Sequence, residues 1–136
     1  VYVVVGESML GKRISAEFER VRILRDYPNS RYFRDFDFAI MAGGYNSFHE
    51  VIEAELPTIC FPNMKTGRDD QYGRAKIAKD AGCMVIIKER RMNTIQAAVD
   101  RIIEAEVREL MRNNFQALKR QNGAIQVAEW MMSQLE

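Results

Sequence analysis

Four short apolar runs constrain the fold of this chain more than any other feature. They lie at residues 1–5, 38–41, 58–61 and 84–87, and a weaker run lies at 21–24. The first run is β-branched and aromatic, without the polar alternation of a strand that has one face in water, and the others are of the same kind. The runs therefore predict strands buried on both faces, as in a parallel sheet.

The segments between the predicted strands carry helical signals. Ser47-x-x-Glu50 has the form of a capping box, and Pro57 stops this first helix before the next strand. An acidic pair at the start of residues 69–81 can cap a second helix, and Gly82 fits the position just past its end. Each of these helices would connect one strand to the next.

Further helical patterns follow the last predicted strand. A helix that opens at Asn93 has apolar residues at intervals of three and four, and residues 107–118 repeat that pattern. Gly123 breaks the pattern, and a last helix over 124–135 carries Trp130. Strands that alternate with helices predict an α/β fold, a doubly wound, mainly parallel, Rossmann-like sheet with helices on both faces.

Length, charge and cysteine content narrow the function. A chain of 136 residues corresponds to one domain, and 20 Lys and Arg against 19 Asp and Glu give a net charge of +1, which argues against a nucleic-acid partner. No apolar run approaches the roughly 18 residues of a transmembrane helix. Cys60 and Cys83 lie in apolar runs, which indicates a reducing compartment, so we expect a cytoplasmic protein.

The two ends of the chain suggest a longer parent protein. Residue 1 lies inside an apolar run and is not Met, and the last two residues, Leu-Glu, are a pair often left by cloning. Residues 1–136 are therefore expected to be one domain cut from a longer chain, and a function assigned to them can be half of a function.

Three loops rich in glycine and polar residues are candidate ligand sites, because ligands bind beyond the carboxyl ends of parallel strands. They are 6–12, 42–47 and 62–70. The first has the spacing of a phosphate-binding P-loop up to Lys12, but Arg13 replaces the hydroxyl residue that holds Mg²⁺. A plain loop with a surface lysine is therefore favoured over a nucleoside triphosphatase.

Asp35 and Asp37 have the D-x-D spacing that can hold Mn²⁺ and a nucleotide diphosphate. The pair precedes a predicted strand, however, whereas ligands gather after the carboxyl end of a strand. Two solvated acids at the start of a strand explain the pair better, and we predict no metal site.

The strongest signal follows the strand predicted at 38–41. Gly43 and Gly44 let the backbone approach a bulky anion. A helix begun at Ser47 would offer free N–H groups and a positive dipole end to a phosphate. Asn46 adds a further side-chain donor.

Acidic and amide side chains complete this pattern. Glu50, one turn into the first helix, can accept two hydroxyls, as acids do from nucleotide ribose. Asp70 and Gln71, at the mouth of the second helix, can bind the hydroxyls of a sugar ring. The structural alternative is a glycine turn, a capping box and an Asp cap. That alternative leaves the two glycines, Asn46 and the second polar pair unexplained, so the combination favours a binding site.

These residues resemble the donor-binding signature of nucleotide-sugar glycosyltransferases that have two Rossmann-like domains, the GT-B type. The pattern is similar to that of plant UDP-glycosyltransferases and of the bacterial transferase that adds N-acetylglucosamine to the peptidoglycan precursor. The resemblance covers about residues 37–87 and is specific as a spaced set. The matching residues are Gly44, Tyr45, Asn46, Ser47, Glu50, Pro57, Pro62, Asp70 and Gln71.

The resemblance implies that the chain is the C-terminal, donor-binding domain of an inverting, metal-independent glycosyltransferase. Such an enzyme moves a hexosyl group from a nucleotide-diphosphate sugar, here most simply a UDP-sugar, to an acceptor hydroxyl. It needs no cofactor, and its base lies on an N-terminal acceptor domain or a partner chain. By position, Gly43, Gly44, Asn46 and Ser47 would hold the diphosphate, Glu50 the ribose, and Asp70 and Gln71 the transferred sugar.

The chain departs from this family pattern at two points. Ala42 stands where the plant enzymes keep a phosphate-binding His, so Lys12, Arg13 or His49 would have to supply that contact. The loop at 26–29 has no Trp to stack the base, and its Tyr27 is the candidate there.

His49 is the one histidine of the chain, and we interpret it as structural rather than catalytic, because its position in the motif is variable in the family. Two alternative functions remain open. One is a nucleotide-sugar epimerase, which shares this fold and a similar donor cleft. The other is a non-catalytic donor-binding subunit that requires a partner chain, which an exposed apolar patch near Trp130 would favour.

Overall fold

The computed structural model describes residues 3–6, 19–65, 67, 69–118 and 123–134. Within these ranges the strands are β1 (Val3–Gly6), β2 (Val21–Leu24), β3 (Ala39–Ala42), β4 (Thr58–Phe61) and β5 (Met84–Ile86). The α-helices are α1 (Tyr45–Glu53), α2 (Gln71–Asp80), α3 (Met92–Ile102), α4 (Ala105–Asn114) and α5 (Ala124–Ser133). Two 3₁₀ segments lie at Asn29–Asp35 and Phe115–Leu118. The predicted α/β alternation is confirmed.

The described strands are all parallel but form two sheets. β1 pairs with β2, and β3, β4 and β5 form a three-stranded sheet in that order. Ala39, Thr58 and Met84 are aligned across the larger sheet. The structure thus differs from the predicted single sheet, because in the described residues no ladder of hydrogen bonds links the two.

The prediction that the first strand is buried on both faces is wrong in this chain. Val3 is 48% exposed and Val4 40% exposed. The reason is that β1 belongs to the small two-stranded sheet and not to the centre of the larger one. By contrast, the residues of β4 from Thr58 to Cys60 are fully buried, because a strand lies on each side of β4 and helices cover both of its faces.

Helices cover both faces of the three-stranded sheet, as predicted. Successive side chains of a strand point to opposite faces, so Cys60 and Ile59 of β4 enter different cores. Cys60 packs in a cluster with residues of α1 and α2, together with Phe115. Ile59 packs in a second cluster that includes Ile102 of α3 and Met111 of α4.

The predicted helices are present, with one boundary that matters for the site. α2 begins after Asp70 and ends before Gly82, whose φ of +79° is the left-handed conformation expected there. α1, in contrast, begins two residues before Ser47, with Gly44 as its N-cap. The prediction that Ser47 opens this helix is therefore wrong. A glycine N-cap has no side chain to reveal it in the sequence.

Candidate functional site

The two polar loops with the strongest binding signal lie side by side. β3 and β4 are adjacent and parallel, so the loops that follow them leave the sheet at the same edge. Gly43 is buried at their junction, and a Cβ atom built on it would lie 3.2 Å from the Cβ of Gln71 and 3.3 Å from the Sγ of Cys60. The structure therefore brings the glycine loop and the loop of Asp70 and Gln71 into direct contact, and only glycine fits between them without a shift of its neighbours.

The glycine loop leads directly into the N-terminus of α1. The first hydrogen bond of the helix runs from the Phe48 N–H to the Gly44 carbonyl, at 2.9 Å. The N–H groups of Tyr45, Asn46 and Ser47 precede that bond and have no acceptor within the helix. These groups and the positive end of the helix dipole form a site that favours a phosphate.

The capping-box interpretation of Ser47 and Glu50 is wrong. Ser47 is the third residue of α1, and no side chain of the described residues caps the helix at Gly44. Glu50 lies in the second turn and is partly buried. A capping box therefore does not explain the Glu at this position.

The second loop is ordered by hydrogen bonds of its own side chains. Oδ1 of Asp70 accepts from the Gly73 N–H at 2.8 Å, so the predicted Asp cap is confirmed. Oε1 of Gln71 accepts from the Asn63 N–H at 2.9 Å, and its Nε2 donates to Asp69 at 3.3 Å. Both of the side chains assigned to the sugar are thus held in place, with lone pairs left for a ligand on the carboxylate of Asp70.

Arg74, in the first turn of α2, joins the two loops and was not predicted from the sequence. Its Nη1 lies 2.5 Å from Oδ1 of Asp69, and its Nη2 donates to the Gly43 carbonyl at 3.1 Å. Its guanidinium also lies over the ring of Tyr45, 5.4 Å from the centroid. The guanidinium lowers the pKa of the Asp69 carboxyl, chiefly through their hydrogen bond. An Arg three residues after Gln71 is the sequence signal, but its partner Gly43 lies in the loop after β3, far away in the chain.

His49 is held by aromatic contacts. It is exposed on α1, and its ring meets that of Tyr45 edge-on with centroids 4.5 Å apart, and that of Phe48 at 5.3 Å. This packing agrees with the structural interpretation of His49. Lys12 and Arg13, the other residues considered for the phosphate contact, lie outside the described residues.

The candidate for contact with the base lies in the loop after β2. Tyr27, the candidate for the base, is 36% exposed in the loop after β2. In that loop Asp26 binds both Arg31 and the hydroxyl of Tyr32. A small apolar cavity of about 230 Å³ lies between β2 and the 3₁₀ segment that follows it, with Ile23 among the residues that line it.

The D-x-D pair lies away from the polar loops. Asp37 precedes β3, and its Oδ1 is 3.6 Å from Nη2 of Arg108. Arg112 donates to the carbonyls of Phe36 and Asp37. In the part of the chain that the structure describes, no group of three or more His, Cys, Asp or Glu side chains could hold a metal ion.

Comparison with known proteins assigns the family. Residues 26–127 match the model of the glycosyltransferase family 28 C-terminal domain, and this range contains both polar loops. The chain belongs to this family. None of the curated protein sequences with which the chain was compared matches it significantly.

Solved structures of glycosyltransferases share the fold of this family 28 domain. MurG of Acinetobacter baumannii superposes with a TM-score of 0.69 at 17% identity over 84% of this chain and 33% of its own. The spinosyn forosaminyltransferase SpnP superposes with a TM-score of 0.62 at 15% identity, over 85% of this chain and 30% of its own. The glycotransferase of kitacinnamycin superposes with a TM-score of 0.61 at 18% identity, over 85% of this chain and 31% of its own. The family 28 chain thus spans about a third of the length of these proteins.

The helices of the family 28 domain are short. The longest in the described residues is α3, with 11 residues, and none of them has the length and apolar character needed to cross a bilayer.

Proposed function

We propose that this family 28 domain binds a nucleotide-diphosphate sugar as the C-terminal, donor-binding half of a two-domain glycosyltransferase. The observation that carries the proposal is the contact between the glycine loop and the loop of Asp70 and Gln71 at the N-terminus of α1, with Gly43 between them. A phosphate-binding helix end and a set of hydroxyl-binding side chains then face one ligand.

The diphosphate would bind at the start of α1. The N–H groups that precede the first helical hydrogen bond, those of Tyr45, Asn46 and Ser47, can donate to its oxygens. Gly44 supports this role, because a Cβ atom on it would meet nothing within 4 Å, so the space beside its backbone is open to a ligand. Backbone donors and the helix dipole add nothing to formal charge, which fits the net charge of +1.

The other parts of the donor would be bound by acids and amides. Glu50, in the second turn of α1, would accept the ribose hydroxyls. Asp70 and Gln71, fixed by their hydrogen bonds to the loop, would bind the transferred hexose. We propose a UDP-sugar as the donor, on the resemblance of the motif to that of UDP-sugar transferases.

The reaction would be an inverting displacement. The acceptor hydroxyl oxygen attacks the anomeric carbon, and the bond from that carbon to the diphosphate oxygen breaks. The electron pair leaves with the nucleoside diphosphate, and a base on an N-terminal acceptor domain or partner chain takes the hydroxyl proton. The negative charge on the leaving group would be stabilised by the N-terminus of α1 and the glycine loop, without a metal ion.

Metal independence can be tested by calorimetry. We titrate the chain with UDP-N-acetylglucosamine, UDP-glucose and TDP-glucose, once in EDTA and once with Mn²⁺. Because the phosphate donors are backbone N–H groups, the dissociation constant of the tightest donor should agree within about threefold, or about 0.7 kcal/mol, between the two conditions. Binding that appears only with Mn²⁺ would contradict the proposed phosphate site.

An alternative is a donor-binding subunit that acts only with a partner chain, and α5 favours it. Every described residue of this helix is exposed, including Ile125, Trp130 and Met132 at 64–68%. A helix whose large apolar residues are uncovered is typical of a surface that binds another body. Both versions of the proposal require a second body, an N-terminal domain or a separate chain. Product analysis with and without an acceptor distinguishes either from an epimerase.

We also propose a cytoplasmic location. Cys60 and Cys83 are both buried and free, and burial raises the pKa of each thiol to about 11. A thiol with so high a pKa is protonated and unreactive, so both cysteines are structural. The location itself is proposed from their unpaired state, which a reducing compartment favours.

A further inference from the structure

We infer that Arg74 is the positioning residue of the donor site, the side chain that fixes the sugar-binding loop relative to the phosphate-binding loop. The inference rests on the proposed function. The sequence motif assigns no residue to this role, and the contacts of Arg74 are the evidence for it.

The contacts of Arg74 join three elements at one guanidinium. The residue lies on α2, its Nη1 binds Asp69 in the loop after β4, and its Nη2 binds the Gly43 carbonyl in the loop after β3. The same group covers the ring of Tyr45, the first residue of α1. A planar guanidinium directs its donors along fixed lines, so the two loops are held at a set distance and angle.

Both side chains of this bridge are partly shielded from water. The side chain of Arg74 is 20% exposed and that of Asp69 is 35% exposed. Removal of either partner leaves the other charge unpaired at a partly shielded position. Asp69 in turn accepts from Nε2 of Gln71, so the bridge extends from Gly43 to a residue assigned to the sugar.

Arg74 acts through these loops rather than by binding phosphate. Both Nη atoms are engaged by protein oxygens, and Nε is buried and has no partner among the described residues. The two roles make different predictions. A phosphate ligand contributes equally to the binding of UDP and of a UDP-sugar, whereas a residue that orients the sugar loop contributes mainly to the sugar-containing donor.

The experiment compares the two ligand classes on Arg74→Gln. UDP and TDP, and the sugar nucleotides named above, are titrated into the wild-type chain and the variant. We expect the affinity for the best sugar donor to fall about 20-fold, and that for its nucleoside diphosphate alone to fall less than about threefold. Arg74→Lys, which keeps the charge but cannot form both bonds, should recover part of the difference. Arg101→Gln, an exposed residue on α3, is the matched control and should bind both ligands normally.

Each outcome decides one claim. Equal losses for the diphosphate and the sugar donor would overturn the positioning role in favour of a phosphate contact, and unchanged affinities would overturn it altogether. If the wild-type chain binds none of the donors, the proposed function itself fails. If Arg74→Gln does not give a folded NMR spectrum, Asp69→Ala removes the acceptor of the same anchor and should show the same selective loss. Its absence in that variant would also overturn the inference.

Discussion

Replacement of Gly43 by valine should nearly abolish donor binding. The first added carbon atom would lie 3.2 Å from the Cβ of Gln71 and 3.3 Å from the Sγ of Cys60, closer than ordinary contact, and valine adds two more. Cys60 lies in the buried strand β4 and cannot move away, so the loops must separate. Separation removes the sugar contacts and the Arg74 bridge together, and we expect a loss of at least about 100-fold, or about 2.7 kcal/mol.

Gly44→Ala provides the control for this prediction. A Cβ atom at Gly44 meets nothing within 4 Å, so the variant should keep the unfolding free energy of the wild-type chain within about 0.5 kcal/mol. Gly43→Val should be less stable by about 1–3 kcal/mol, the usual cost of overpacking, and still fold. Calorimetry measures the donor affinity and urea denaturation the stability. A Gly43→Val chain that binds its donor within twofold of the wild type would refute the close-packed junction.

Truncation of Phe115 should cause the largest loss of stability. This residue opens the 3₁₀ segment after α4, is 1% exposed, and packs in the core cluster with residues of α1 and α2 such as Phe48 and Ala75. Removal of a buried phenyl ring costs about 3–5 kcal/mol, because the loss of transfer free energy is joined by a cavity. The total free energy of unfolding of a domain is only about 5–15 kcal/mol, so this loss is a large part of it.

Leu110→Ala is the matched control for Phe115→Ala. Leu110 lies on α4 and is 62% exposed, so its truncation should cost less than about 1 kcal/mol. The midpoint of urea unfolding should fall steeply for Phe115→Ala and little for the control, with the same slope in both. A loss below about 1 kcal/mol for Phe115→Ala would show that the 3₁₀ segment does not close this core.

The strands could be predicted from the sequence because a strand buried on both faces consists mainly of apolar residues. β4 lies between two strands and two helical layers, and its sequence, Thr58 followed by three apolar residues, predicts the bounds that the structure has. The same signal misled at β1, where an equally apolar run is partly exposed in this chain. Composition records that a strand is apolar, but not what covers it.

The sequence predicts which two loops form the site, but not the contacts that join them. Asp70 caps α2 as its position suggested, because an N-cap uses a local side chain. At α1 the sequence Ser47-x-x-Glu50 imitates a capping box, while the true cap, Gly44, acts through its backbone alone. Arg74 could not be found in this way, because its role depends on the Gly43 carbonyl, 31 positions away in the chain.

The central claim is that one nucleotide-sugar donor is held between the two polar loops. The most direct measurement is an NMR titration of the uniformly ¹⁵N-labelled chain with UDP-N-acetylglucosamine, UDP-glucose and TDP-glucose. For the donor that binds, we predict that the amide signals of residues 43–50 and 69–71 shift together and saturate at one ligand concentration. Shifts confined to other parts of the chain would contradict the claim, as would shifts at only one of the two loops.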